Sequence, residues 1–420
     1  MFARPQKNPH RHFFALLWIV FALAAGAQAA TFTAATDGNW NSAATWTVSG
    51  VDGDGIPDAD DTVTIPNLRV VTVTSAQGAH ILTVSTGGTL TLNAGSSVTL
   101  DGTASSFFTN AGTTNGTGTI RTTPGTGTTG INIDGTFTAA LEIGAGTTNA
   151  SSSTIGGPIA IVNGATLATS NQPVTHTGDL TINAGGTLTS PNGSFSFSGA
   201  NLVNNGTMAM TGTFNLNGGA QNLSGTGVIT GNPAILNGTT LTLTSNFTFG
   251  NGNVTSTGIT INTGGTIAVG SNTLTINGGG ISGAGATSGS GSINLQGTSS
   301  ISSGSLWVAP VVIAGGTTNG LGTFGGPITV SNGATMNIAN QTVTVNGNLT
   351  INGSLISSSS NGTFNANGTN IVNNGTVTGI AFRFGGGPSQ TFSGNGTLVG
   401  SVTVFGGTTV TLTSNITLGD

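Results

Sequence analysis

The sequence predicts an all-β chain, a right-handed parallel β-helix (β-solenoid) closed by an N-terminal cap, and three observations carry that prediction. The first is composition. Of 420 residues 72 are glycine, cysteine and tyrosine are absent, and 4% are charged, where an ordinary globular chain carries about 25% charge. Thr, Ser and Asn stand where Lys and Glu usually do, so the chain is polar without the high charge of a disordered segment. The second is periodicity: from about Ile81 onward, runs such as Leu90-Thr91-Leu92, Leu180-Thr181-Ile182 and Val343-Thr344-Val345 alternate apolar residues with threonine, the period of a half-buried strand. The third is a long internal repeat. Gly157-Pro158-Ile159 recurs as Gly326-Pro327-Ile328, Leu180-Thr181-Ile182-Asn183 as Leu349-Thr350-Ile351-Asn352, and Asn204-Asn205-Gly206-Thr207 as Asn373-Asn374-Gly375-Thr376, each at an offset of 169 residues.

Residues 1–29 read as a secretory signal peptide: a basic stretch with Arg4, Lys7 and Arg11, an apolar core from Phe13 to Ala25, and the small-residue site Ala27-Gln28-Ala29. A membrane anchor is the competing reading, but the apolar core falls short of the roughly 20 residues a spanning helix needs. No later segment is apolar enough to span, so the mature chain is expected to be secreted, extracellular or on a bacterial outer surface. Beyond the leader only Arg69, Arg121 and Arg383 oppose 11 acidic residues, a net charge of −8. Without clustered basic residues a nucleic-acid partner is not expected. The absence of cysteine removes a disulfide framework and any thiolate metal site, and glycine without a strict three-residue period removes collagen.

Residues 30–80 differ from the rest and read as a cap, with Trp40, Trp46 and the acidic run Asp52, Asp54, Asp58, Asp60 and Asp61. Residues 81–420 read as coils. Strand centres near Thr329, Asn337, Thr344 and Thr350 lie about 6 to 8 residues apart, closer than the usual turn spacing of a sandwich, and three such steps make a coil of about 21 residues. Asn-Gly and Gly-Gly groups between them supply the turns. The offset of 169 is close to eight coils, so the duplication, about 141–251 and 310–420, keeps the inward and outward faces in phase. About 16 coils at 4.8 Å give a rod of about 75 Å, its handedness taken from the rule for parallel crossovers. The sequence stops at Gly419-Asp420 straight after the apolar run Ile416-Thr417-Leu418. This bare coil edge is expected to continue into further chain or to be covered by a partner.

Asn39-Trp40, Thr45-Trp46, Gly55-Ile56-Pro57, Asp60-Asp61-Thr62-Val63-Thr64-Ile65 and Gly87-Gly88-Thr89-Leu90 come in an order that resembles the extracellular domain named for its eight conserved glycines, and the N-terminal caps of bacterial secreted β-helix proteins. The coils resemble passenger regions of autotransporter and haemagglutinin-type adhesins. That resemblance implies a structural or adhesive stalk whose partners are cell-surface glycans or proteins. The membrane barrel that autotransporters carry is not in this sequence.

The residues that carry chemistry are few. Asp52, Asp54, Asp58 and Asp61 in the order D-x-D-G-x-x-D-x-x-D resemble the calcium loops of secreted proteins, since alternating carboxylates and a turn glycine suit a hard cation. The bland reading is a solvated turn, and Gly50 stands where the pattern would place another aspartate. Calcium is the one cofactor the sequence suggests, and its role would be to rigidify the cap. Many parallel β-helices process acidic polysaccharides, which makes a polysaccharide-binding or polysaccharide-processing protein the alternative function. The coils offer Asp101, Asp134, Glu142 and Asp179 with Arg121 and Arg383; Asp134 and Glu142 are the pair closest to the spacing glycoside hydrolysis requires, and two isolated surface acids are the simpler reading. No catalytic residue is assigned. His80 and His176 read as single satisfied histidines, Trp307 as either a sugar-stacking platform or core, and the pairs Phe195/Phe197, Phe247/Phe249 and Phe382/Phe384 as stacked core. Asn-Gly-Thr triplets at Asn205, Asn367 and Asn374 match glycosylation sequons and also mark coil corners.

Overall fold

The computed structural model describes residues 29–124, 128–151, 153–169, 171–250, 258–359 and 361–419; the leader read over residues 1–29 lies outside them except for Ala29, as does Asp420. The chain is a β-solenoid of about 16 turns, with 58% of residues in strand and 1% in helix. Each coil contributes three short strands that turn at glycine- and asparagine-rich corners and pair in parallel with the same strands one coil on. Ile159–Ile161, Thr166–Ala168 and Val174–His176 form one such coil. Their partners begin at Leu180, Thr187 and Phe195, so the coil is 21 residues long. The strands expected around Thr329, Asn337, Thr344 and Thr350 are Ile328–Val330, Thr335–Asn337, Thr342–Val345 and Leu349–Ile351.

Alternation sets which side chains face inward. In Thr89–Leu92 and Thr342–Val345 the two apolar residues are buried while the residues between them reach solvent. Stacking at one coil per 21 residues then places like on like, and aromatic residues meet ring to ring. Phe364 and Phe382 stack at 5.6 Å between centroids, and Trp307 meets Phe324 edge-on at 6.0 Å. All six phenylalanines of the three alternate pairs are buried, and so is Trp307, which places Trp307 in the core and removes the exposed sugar platform.

The parallel ladder begins before residue 81. Thr31–Ala34 pairs in parallel with Thr62–Ile65, which pairs with Ile81–Val84. Residues 30–80 therefore form the first coils, and what caps them is an antiparallel pairing of Thr31–Ala34 with Trp46–Ser49. Trp40 and Trp46 plug that end edge to face at 5.3 Å. Both indole nitrogens are satisfied: Trp46 Nε1 donates to the Trp40 carbonyl at 2.7 Å and Trp40 Nε1 to that of Pro57 at 3.3 Å.

The duplication is repeated bond by bond. Buried Asn204 donates Nδ2 to the Val228 carbonyl at 3.1 Å and accepts the Gly206 amide at 3.2 Å. Asn373 makes the same bonds to Thr397 and Gly375 at the same distances. Gln221 Nε2 donates to the Phe197 and Gly199 carbonyls, and Gln390 Nε2 to those of Ala366 and Gly368. The corner opposite each asparagine needs glycine. At Gly225 and Gly394, φ is +114° and +109°, and a Cβ would lie 2.1 and 2.0 Å from the carbonyl oxygens of Asn204 and Asn373, closer than any side chain tolerates.

Candidate functional site

The acidic loop between Trp46–Ser49 and Thr62–Ile65 is the densest group of ionisable residues described. Its carboxylates serve mostly as acceptors for the loop's own amides. One Asp52 oxygen accepts the amides of Asp54, at 3.1 Å, and Gly55, while Asp54 Oδ1 accepts that of Ile56 at 2.9 Å. These are Asx turns, in which a short carboxylate closes a turn that the backbone leaves open. Asp61 is buried: Oδ1 accepts the Ala30 amide at 2.7 Å and Oδ2 the Asp58 amide at 2.8 Å.

Of the four aspartates that the sequence marks as calcium ligands, the fold brings Asp58 and Asp61 together. Their companion is Asp60 rather than Asp52 or Asp54, with one carboxylate oxygen of each of the three within 4.8 Å of the others. Alternate spacing does not single out Asp60; the backbone turn that ties the Asp61 amide to the Asp58 carbonyl at 3.2 Å does. A side-chain hydrogen bond with Asp60 raises Asp58 from 3.8 to about 6, helped by partial burial and by the charges of Asp60 and Asp61. The loop therefore holds a proton in mildly acidic solution that an isolated aspartate would release.

The acids of the coils are individually engaged. Glu142 meets Arg121 Nε at 2.9 Å across adjacent strands, and Asp101 meets His80 Nδ1 at 3.2 Å. Asp134 accepts Asn132 Nδ2 at 2.9 Å, and Asp179 accepts both the amide and the side chain of Asn201. Asp134 and Glu142 thus each have a partner of their own. His176 is buried with Nδ1 3.0 Å from the Ile155 carbonyl and Nε2 3.1 Å from that of Asp179. Burial holds this ring below its ordinary pKa, against the pull of the two carbonyls and the Asp179 carboxylate.

The outer faces carry ladders of amides and hydroxyls. Asn192 reaches Asn171, Asn222 reaches Asn201, Asn367 reaches Asn346, and Asn374 reaches Asn352, each at 2.9–3.1 Å and each across one coil. A shallow cleft of about 420 Å³ opens on this surface, lined by Gly225, Thr226, Asn246, Phe247, Thr248, Thr273 and Thr275. At the far end, Val402, Val404, Phe405, Leu412 and Leu418 are exposed. Among the described residues, no helix is long and apolar enough to cross a membrane. No family model matches this chain, and neither curated proteins nor solved structures gave a match.

Proposed function

We propose that this chain is an exported structural and adhesive β-solenoid, a stiff stalk whose Thr/Asn faces meet other surfaces through many weak polar contacts. The observation that carries the reading is the set of solvent-side side-chain bonds between coils, in which four asparagine amides, those of Asn192, Asn222, Asn367 and Asn374, each pair with an asparagine of the coil before. Such a surface is regular, uncharged and dense in donors and acceptors, which suits the hydroxyls of surface glycans and the backbone of other extracellular chains. Individual engagement of the coil acids supports a binding rather than a catalytic role, because a general acid and a nucleophile must converge on one bond. The test is to express the chain with its own leader, recover the exported product, measure its length by electron microscopy and probe it on arrays of surface glycans and extracellular matrix proteins. A rod of about 75 Å, as 16 coils at 4.8 Å require, with multivalent, low-affinity binding is the expected result. Release of reducing sugar or unsaturated product from any polysaccharide would replace the stalk with an enzyme.

A further inference from the structure

The end of the leader and the buried acid of the cap meet at one atom. Ala29 is exposed and Ala30 is buried, at 4% exposure, with its nitrogen 2.7 Å from Asp61 Oδ1. Ala30 is pinned on its other side, since its carbonyl accepts the Thr62 amide at 2.9 Å, and the Asp61 carbonyl accepts the His80 amide at 2.7 Å. Asp61 is 1% exposed. Burying a carboxylate is costly unless a charge compensates it. Yet the ion pairs among the described residues are His80–Asp101 and Arg121–Glu142, and the groups gathered around Asp61 are the like-charged Asp58 and Asp60. Past the leader, which ends at Ala29, the sequence has no lysine and three arginines, Arg69, Arg121 and Arg383. Among the chain's own groups, the source of positive charge left for that position is a chain terminus.

We infer that the Ala29–Ala30 bond is the processing site of the leader, and that the α-ammonium of Ala30 freed there forms a buried ion pair with Asp61 that locks the first coil. The inference rests on the export reading above. In the step, a leader peptidase directs water onto the Ala29 carbonyl carbon. The C–N bond breaks, Ala29 departs as a carboxylate, and the Ala30 nitrogen takes up protons to become an ammonium, which is charged at neutral pH because a free α-amine titrates near about 8. Before cleavage the Ala30 nitrogen offers Asp61 one amide N–H; afterwards it offers a full charge in the same place. Removal of Ala27-Gln28-Ala29 is thereby coupled to closure of the cap, and the coils stack from a sealed end.

The composition makes the test unusually clean, because Lys7 is the sole lysine and leaves with the leader, so the processed chain contains a single primary amine. The chain is expressed with its own leader in a bacterial host and the exported product is sized by intact mass. Its amine is then acetylated with an N-hydroxysuccinimide ester alongside the free peptide of residues 30–34. The expected product begins at Ala30 and is labelled roughly tenfold or more slowly than the peptide, since a pairing that raises the amine's pKa by one unit leaves about a tenth of the free base. Asp61→Asn keeps the shape and removes the charge, and should restore fast labelling, while Asp58→Asn should leave it slow. An exported product with a different first residue, wild-type labelling at the peptide's rate, or a D61N chain as protected as wild type would each overturn the ion pair. The wild-type rate decides the matter alone where D61N does not fold. A chain retained inside the cell with its leader intact would overturn the export reading first, and the pair with it.

Discussion

Truncating Asn204 to alanine should loosen one stretch of the solenoid and leave its duplicate untouched. The side chain is fully buried and makes two bonds, from Nδ2 to the Val228 carbonyl at 3.1 Å and from the Gly206 amide to Oδ1 at 3.2 Å. Alanine supplies neither, so one carbonyl and one amide lose their partners at a corner where the neighbouring coil excludes water. Each buried group left unsatisfied costs about 1–3 kcal/mol. As Gly206 and Val228 are themselves only half-buried, the low to middle part of the range applies and the pair costs about 2–4 kcal/mol. At about 1.4 kcal/mol per factor of ten, local opening becomes ~30- to ~700-fold more frequent. Because each coil contacts mainly its neighbours, a global melt would blur this. The assay is native-state hydrogen exchange read by mass spectrometry, which reports opening segment by segment. Amides of residues 180–228 should accelerate by that factor, while residues 349–397 exchange as in wild type. Asn373→Ala should reverse the two, its bonds being the same. Acceleration under about fivefold, well short of the expected range, or spread equally over both copies, would refute both the assigned bonds and the nearest-neighbour picture.

Three further outcomes follow from the same geometry. Phe382 is 1% exposed and packs against Phe364, Phe384 and Phe392 with centroids 5.6, 5.0 and 6.4 Å away, so Phe382→Ala should cost about 3–5 kcal/mol in the last coils. Phe405→Ala, at 45% exposure, should cost about 0.5 kcal/mol; both are read by exchange of residues 360–410. Folded Asp58 keeps its proton to about pH 6, whereas an unfolded aspartate releases it near 3.8. Between those values the folded chain binds more protons, so cap stability should fall as pH rises from about 4 to 6 and then level off, a slope that Asp58→Asn abolishes in thermal melts. Calcium to about 1 mM, the weak end of extracellular sites, should leave the melt at pH 7 unchanged, because Asp61 spends both of its oxygens, and Asp52 and Asp54 one each, on backbone amides. A rise in melting temperature that disappears in Asp60→Asn would make the cluster a cation site.

What the sequence displays is whatever repeats at a fixed period. Alternation of apolar residues with threonine places Leu90 and Leu92, or Val343 and Val345, inside, because successive side chains of a strand point to opposite faces. The spacing of strand centres likewise displays the 21-residue coil. Corners are less visible. Asn204 and Asn373 sit in Asn-Asn-Gly runs that read as exposed turns, yet both point inward, since a corner carbonyl and amide facing the core need a side chain to satisfy them. The duplication preserves them: Asn204 and Gln221 recur as Asn373 and Gln390 at the same offset, and for Gln221 the signal is sharper, because its neighbours Ala220 and Asn222 become Ser389 and Thr391. Strand lengths are hidden for a related reason. Runs that look like separate short strands merge into Thr273–Gly283 and Ser292–Trp307, because the ladder passes round the Asn277–Gly279 corner with a bulge instead of stopping there.

The acidic loop obeys a different logic, and it explains why a ligand pattern in sequence need not be a ligand set in space. Alternate aspartates converge on a cation only when the loop winds around a centre. Here the chain is returning to the sheet, and each carboxylate folds back on an amide two or three residues ahead, Asp52 on Asp54 and Asp54 on Ile56. The exception is Asp61, whose oxygens reach 31 residues back to Ala30 and three residues back to Asp58. It is also the one aspartate of the loop that is fully buried. A solenoid has no need of charge along its length, where Val, Ile and Leu stack on themselves. It does need some device at its first coil, which has no earlier coil to supply hydrogen bonds. The antiparallel strand, the two tryptophans and Asp61 meet that need together, so among the described residues the densest patch of charge lies where the repeating physics of the coil begins.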